Sequence, residues 1–446
     1  MPTPLDPTVL AADLAAWRAA HPRATLTEIE AEVDRALAAF RTQTVVDLAT
    51  DEGDPPRCPG CDRPMHRHGT RSRTLATRDE GLLTLSLPRY RCPACGTELS
   101  PLGERLGLVP GTLAPWLAEL AVQFGTETSF ARAASLLSQA TRTRISPDTV
   151  RRLTETAGAI WCQLDLDLLT ALETAAMAPG APEVVVPDAD PFAPTATISL
   201  CLDGAMVPLV GGDWQEVRTL TVGEVVTTDE SVRTTRLSYV SQQAPAARFQ
   251  RTIGVELTRR GVLTHPGTIV AISDGASWIQ DALDLQVPQA VRILDVMHAV
   301  EYLADAAKAS FGPGTAETSA WLGTWRQALR TGKAVAVGNA LAALPPSPER
   351  DDALRYLGNR RAMLAYGRCD LEGWPVGSGV VESANKIVVE ARLKGAGRHW
   401  SPGSVNPMVS LRALVASERW ERAWPRITAA WPSHHRDARA VTTPPA

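Results

Sequence analysis

Two short cysteine motifs restrict the fold more than any other part of the chain: CPGC at residues 58 to 61 and CPAC at 92 to 95. Thiolates at i and i+3 converge on one ion because a tight turn points both sulfurs inward, and four soft ligands favour tetrahedral zinc. Between the motifs lie RSRTLAT, a DEG turn and LLTLSLPRYR, which read as two alternating strands joined at a glycine. Cys58, Cys61, Cys92 and Cys95 therefore predict a zinc ribbon over residues 55 to 105, with one structural Zn2+ and no open position for catalysis. His66 and His68 are spare ligands or surface residues. Arg63, Arg67, Arg71, Arg73, Arg89 and Arg91 give the ribbon a basic face, suited to DNA or simply solvated. The remaining cysteines, Cys162, Cys201 and Cys369, are scattered and read as small buried apolar residues.

The chain's 446 residues are enough for two to four domains. No apolar run approaches the ~20 residues of a membrane helix, and the N-terminus lacks the pattern of a signal peptide, so a cytoplasmic protein is expected. The formal net charge of −4 does not favour nucleic acid as a partner overall, but local charge decides that question. Residues 1 to 54 form an alanine-rich helical region with Thr25 or Thr27 as a cap. Residues 106 to 177 are helical again. SFARAASLLSQATRTR leads into ISPDTVRRL, with Ser146 as N-cap and Pro147 in the first turn. This pair resembles a helix-turn-helix, and Arg151 and Arg152 on its second helix are candidate DNA contacts. The Pro- and Ala-rich stretch 178 to 196 reads as a linker.

The second half carries the chemistry. TISLCLDGAMVPL alternates, with Ile198, Leu200 and Leu202 on one face and Ser199, Cys201 and Asp203 on the other. Two further strands, a helix, the apolar run ending at Asp274, a helix, and AVRILDVMHAVEYL follow. The order β-β-β-α-β-α-β-α is that of an α/β RNase H-like core, first part 197 to 303, with Asp203 and Asp274 on neighbouring strands. Both precede glycine, so turn chemistry is the alternative reading. Neighbouring buried carboxylates repel unless a cation is present, and oxygen ligands call for Mg2+ or Mn2+. A two-ion site needs a further carboxylate. Glu382 is the candidate, at the head of a helix entered through GSG and capped by Ser378. Asp295 and His298, at a strand–helix junction, read as structural or supporting groups. An all-helical insertion over 304 to 372 separates Glu382 from the aspartates, and the core resumes over 373 to 430 before a disordered tail at 431 to 446. Lys386, Arg392, Lys394, Arg398 and His399, with Trp400 beside them, suit phosphate contact and base stacking, unless Trp400 is core. Two of the chain's four lysines, Lys386 and Lys394, fall here.

The ordered set CPGC…CPAC, DGAMVPL, ISDGASWIQ, ILDVMHAVEYL, VGSGVVESANK and RLKGAGRHWS resembles the DDE transposases of the ISKra-type insertion sequences, and more distantly Mutator-like transposases. The resemblance spans roughly residues 55 to 425. It implies a bacterial enzyme that binds terminal inverted repeats and carries out metal-dependent cleavage and strand transfer on DNA, as at least a dimer. Asp203, Asp274 and Glu382 fall on the positions of its acidic triad; Asp295 and His298 match its Asp/Cys-x-x-His block, and Asp295 is the alternative second member. The rival expectations are a zinc-ribbon and helix-turn-helix regulator without catalysis, and a stand-alone RNase H-like nuclease.

Overall fold

A computed structural model describes residues 7–50, 54–79, 81–178, 180, 182–228 and 231–442. In it the chain divides into two units, one of Met1–Ile160 with Glu421–Ala446 and one of Trp161–Trp420.

In the first unit, α1 (Pro7–Ala20) and α2 (Leu26–Leu48) form the N-terminal helical region. Residues 1–6 and 51–53 of that expected region lie outside the described residues. Thr25 caps α2 through a capping box: its hydroxyl accepts from the Glu28 N–H, and its own N–H donates to the Glu28 carboxylate at 2.7 Å. β1 (His66–Ala76) and β2 (Leu82–Arg91) pair antiparallel, and β3 (Glu98–Leu99) adds a short third strand. The alternation of LLTLSLPRYR sends Leu83, Leu85 and Leu87 inward, onto Leu75, Leu102 and Leu108 and onto Val45 and Val46 of α2. α3 (Pro101–Arg105), α4 (Pro115–Glu127), α5 (Phe130–Thr141) and α6 (Pro147–Met177) follow. The connection between α5 and α6 turns at Arg142 (φ 52°), and the Ser146 hydroxyl caps α6 by accepting from the Thr149 N–H at 3.1 Å. Gly125 on α4 permits a close approach of α6, since a Cβ there would overlap Thr154 and Val150.

In the second unit, the segment before the sheet departs from the expected linker. Asp190 pairs with Arg236 at 2.8 Å and with Arg260, and its N–H donates to the Arg259 carbonyl at 2.9 Å. Phe192 is buried under the Arg260 guanidinium, 4.1 Å from the ring centroid. Proline removes regular structure from this stretch, but its one phenylalanine still anchors it to the core.

The sheet contains β4 (Thr197–Pro208), β5 (Trp214–Thr227), β6 (Val232–Gln242), β7 (Ile269–Ser273) and β8 (Val291–Leu294), in the spatial order β6-β5-β4-β7-β8. The first three form an antiparallel meander, and β7 and β8 continue it in parallel. α7 (Ala246–Arg259) and α8 (Ser277–Gln286) cover one face, packing Phe249, Ile253 and Ile279 on Ile198, Leu200 and Leu202. The other face, with Cys201, Ile272 and Ile293, is covered by α9 (Val296–Phe311) and by the inserted helices α10 (Ala316–Arg330), α11 (Ala334–Ala342), α12 (Pro348–Asn359) and α13 (Tyr366–Glu372). The chain returns through α14 (Gly379–Ala384), a π-helical segment (Asn385–Glu390), α15 (Ala391–Leu393) and α16 (Pro402–Ala416). α17 (Trp420–Thr442) closes it, so the expected disordered tail is helical as far as Thr442, and residues 443–446 lie outside the described ones. Trp424, Ile427 and Trp431 recur at helical spacing and are buried, which gives that helix an apolar face. Among the described residues no helix is long and apolar enough to cross a membrane.

Glu256 of α7 is fully buried and accepts a two-pronged bond from Arg419, at 2.5 and 2.6 Å. Burial by itself would raise its pKa, yet Arg419 and the nearby Arg259 hold it below the usual carboxylate range. A depressed folded-state pKa contributes stability above the unfolded value, and that stability is lost as the pH falls through the folded value. Arg419→Met strands the Glu256 charge and is expected to cost about 3–5 kcal/mol in urea denaturation at neutral pH. Acid should narrow the gap between variant and wild type, because protonating Glu256 removes the stranded charge.

Candidate functional site

The four ribbon cysteines come together in the first unit. Sγ–Sγ distances are 3.4 Å for Cys58–Cys95, 3.4 Å for Cys61–Cys92 and 3.7 Å for Cys61–Cys95. All four sulfurs lie within 4.8 Å of one another. Tetrahedral bonds of ~2.3 Å to one ion put sulfurs about 3.8 Å apart, so the set fits a single zinc. Two matching turns build it. Cys58 N–H donates to the Arg63 carbonyl and Cys92 N–H to the Thr97 carbonyl, each at 2.8 Å. The residue after each second cysteine is left-handed, Asp62 at φ 53° and Gly96 at φ 76°. The Thr97 hydroxyl, 3.1 Å from the Cys95 sulfur, and the Thr97 N–H pull that thiol down to about 6. His66 and His68 are exposed and outside the cluster. Of the ribbon's arginines, Arg89 pairs with Glu98, and Arg73 donates to the Val109 and Gly111 carbonyls; Arg63, Arg67, Arg71 and Arg91 are exposed.

The second site lies at the carboxyl ends of the parallel strands. Cys201 pairs with Ile272 between β4 and β7, and Ser273 with Leu294 between β7 and β8. Carrying those registers forward sets Asp203, Asp274 and Asp295 in one row, Asp203 within β4 and the other two just past the ends of β7 and β8. In an open sheet of this kind, ligands bind at that edge.

The three aspartates differ in what they already hold. Asp203 is half-buried, and burial pushes its pKa up, with the Asp274 carboxylate adding to the rise. The Gly204 N–H, His298 and Asn385 act in the opposite direction. Asn385 Nδ2 donates to Asp203 Oδ2 at 2.8 Å. Asp274 does make the turn that its glycine neighbour suggests, its Oδ1 accepting from the Ala276 N–H at 2.8 Å. That turn is gripped from the insertion: Tyr356 OH donates to the Asp274 carbonyl at 2.5 Å and Arg360 Nη2 to the Gly275 carbonyl at 2.9 Å. Asp295 is buried with both oxygens engaged. Oδ1 accepts from the Met297 and His298 N–H groups at 2.6 and 3.1 Å, and Oδ2 accepts from the Ser378 N–H. It caps α9 and ties it to the returning chain, spending three of its acceptor sites on backbone N–H groups. His298 is half-exposed, 3.4 Å from Glu301.

Glu382 sits in the first turn of α14 and is exposed, with no side-chain partner among the described residues. Ser378 makes no side-chain cap to this helix, contrary to expectation: its backbone, at φ −86° and ψ 12°, is outside the extended region that a capping residue uses. Among the described residues only the four cysteines form a group of three or more His, Cys, Asp or Glu ligand atoms within 4.8 Å. Asp203, Asp274 and Glu382 are thus not drawn into one cluster, as like charges without a counter-ion would not be.

The expected DNA contacts divide sharply. Trp400 is buried, its Nε1 donating to the Leu393 carbonyl at 3.2 Å and its backbone bridging to Leu209, so it cannot stack on a base. Arg392 is buried as well, 4.9 Å over the Trp400 ring. Both expectations are overturned: the β4 end recruits this loop as a strand neighbour and takes the tryptophan inward. Arg398 Nη1 donates to the Arg392 carbonyl at 2.9 Å, and Lys394 pairs with Glu390 at 2.7 Å. Arg151 pairs with Asp148 and Glu155, each at 2.7 Å, and Arg152 with Asp148 at 3.0 Å. Lys386 and His399 are exposed and have no side-chain partner among the described residues. Sequence reasoning passed over Asn385, Tyr356 and Arg360. For Asn385 the signal was at most its place between Glu382 and Lys386; for the other two there was none. No family model matches the chain, and no curated protein matches it either.

Purified protein is expected to carry one zinc per chain by atomic absorption, and Cys92→Ser to lose it. Asp295→Asn should destabilise the protein by about 1–3 kcal/mol in urea titrations, since an amide cannot accept from donors on both sides. If Asp295 acts only as a clamp, that variant keeps its affinity for divalent cations.

Proposed function

We propose that the chain is a DNA transposase of a bacterial insertion sequence, with an RNase H-like core that cleaves transposon ends and joins them to target DNA. The observation that carries the reading is the register between β4 and β7, which, carried two residues past the Cys201–Ile272 pair, sets Asp203 within β4 beside Asp274 just after β7. The order β6-β5-β4-β7-β8 and the helical insertion before Glu382 support it further. Oxygen donors from these aspartates, with a raised pKa at Asp203 that a cation would relieve, fit Mg2+ or Mn2+.

When bound, two such ions would activate water at a phosphodiester and stabilise the leaving 3′ oxygen. Asp203 and Asp274 hold the strand side of the site. Glu382 enters from α14, which packs with the π-helical segment over β4. Its exposure leaves it free to close on the site when cations and DNA offset the repulsion. Lys386, four residues further along the same helical stretch, takes a substrate phosphate. His399 and the exposed ribbon arginines add backbone contacts, and the ribbon with the α5–α6 pair recognises the inverted repeats as the protein assembles into at least a dimer. Asp274 serves as the second triad member in this reading, because Asp295 already spends three acceptor sites on backbone N–H groups.

With Mg2+ or Mn2+, the protein is expected to nick a duplex bearing its own element's ends and to join the freed 3′-OH to a second duplex. Asp203→Asn, Asp274→Asn and Glu382→Gln should each reduce both steps to background while leaving end binding intact. End binding with no cation-dependent nicking by wild type would mark a regulator instead; nicking without joining would mark a nuclease.

A further inference from the structure

Asn385 is the most informative polar residue outside the acidic set. It is 5 % exposed and opens the π-helical segment directly after α14. One end of its amide is satisfied by Asp203 at 2.8 Å, while the other end, Oδ1, is buried with no hydrogen-bond partner. The amide cannot be reversed to cure this. Turned over, it would set its oxygen against a carboxylate oxygen, two acceptors facing each other. A buried carbonyl oxygen without a donor costs about 1–3 kcal/mol.

The surrounding backbone is built to keep the residue there. The wide turn Asn385–Glu390 is a rare conformation that is frequent at functional sites. The buried Arg412 guanidinium holds it from within by donating to the Ile387 carbonyl. A rare turn, a buried cation bracing it and an orphaned acceptor beside Asp203 make little sense as packing alone. They make sense if a donor arrives with the ligand. A hydrated divalent cation brings such donors, because Mg2+ retains several of its waters. The two ends of one planar amide are a single bond angle apart, so Oδ1 lies beside the carboxylate that Nδ2 grips.

We infer that Asn385 is a positioning residue for a hydrated divalent cation at Asp203: Nδ2 orients the carboxylate, and Oδ1 accepts a hydrogen bond from a water on the ion. The inference rests on the divalent-cation reading of the Asp203 site. Mn2+ binding to the zinc-loaded full chain, followed by electron paramagnetic resonance, tests it without DNA or turnover. Wild type should show a site that Asp203→Asn removes. Asn385→Leu should weaken Mn2+ at that site by about 10–100-fold, as loss of an outer-shell partner does. Its melting temperature without Mn2+ should equal or exceed that of wild type, because an orphaned polar atom has gone. Asn385→Ala, which adds no bulk, should show the same loss of affinity and stands in if the leucine is not accommodated. Mn2+ affinity within about threefold of wild type in the folded variant would overturn the role of Asn385 and leave the Asp203 site standing. Absence of any Asp203-dependent Mn2+ signal in wild type would instead overturn the cation reading, and this inference with it.

Discussion

The buried carboxylate of Asp295 is the joint on which the second unit depends. It accepts the first N–H groups of α9 with one oxygen and the Ser378 N–H with the other, so it touches the chain where it leaves the sheet and where it returns. Charge-assisted bonds to backbone N–H groups are among the stronger ones available, and burial shields them from water. The five-stranded sheet is complete before the insertion begins, yet Glu382 and Asn385 reach it only after the insertion ends. The row of Asp203 and Asp274 therefore continues into a residue whose task is mechanical. Two aspartates are offered to solvent and ligand, and the third secures the strand-to-helix junction beside them.

Much of this was legible because the informative patterns are local. The alternation in TISLCLD separates Leu200 and Leu202 from Cys201 and Asp203, and the sheet buries them on the two faces that this separation predicts. The short apolar run IVAIS became a fully buried parallel strand, and the two CxxC motifs brought their sulfurs together. What failed to show were pairings between distant segments. Nothing in RLKGAGRHWS says that Trp400 will bridge to Leu209, so a tryptophan among cations reads as a binding surface when it is core. The clamping role of Asp295 was hidden for the same reason, since it uses the N–H of Ser378, a residue whose position depends on the whole insertion. The apparent linker was misjudged for a similar reason: proline content speaks to the backbone, while Phe192 and Asp190 decide where it docks.

Arginine is the residue type whose abundance misleads most. Several guanidinium groups in this protein serve as internal struts. Arg412 donates to the Ile387 carbonyl, Arg360 to Gly275 and Arg398 to Arg392, while Arg419 and Arg260 neutralise Glu256 and Asp190. The planar fork can satisfy a carbonyl or carboxylate where an ammonium could not match the geometry. Each such use withdraws a positive charge from the surface. Others, among them Arg233, Arg248 and Arg326, stay exposed, so arginine content alone does not say where a polyanion would bind.

The return of the chain has a consequence for how freely this architecture can vary. The Val296 N–H donates to the Val376 carbonyl at 3.0 Å, so everything between those residues is a closed loop with its ends held one hydrogen bond apart. The entropy of closing such a loop grows only with the logarithm of its length, about 0.6 kcal/mol for each doubling. Helices added to or removed from the far end of the insertion would leave that closure almost unchanged. The sheet constrains the first turn of α9 and the approach to α14, and the inserted helices that cover its second face matter to its stability through that packing and not through loop length.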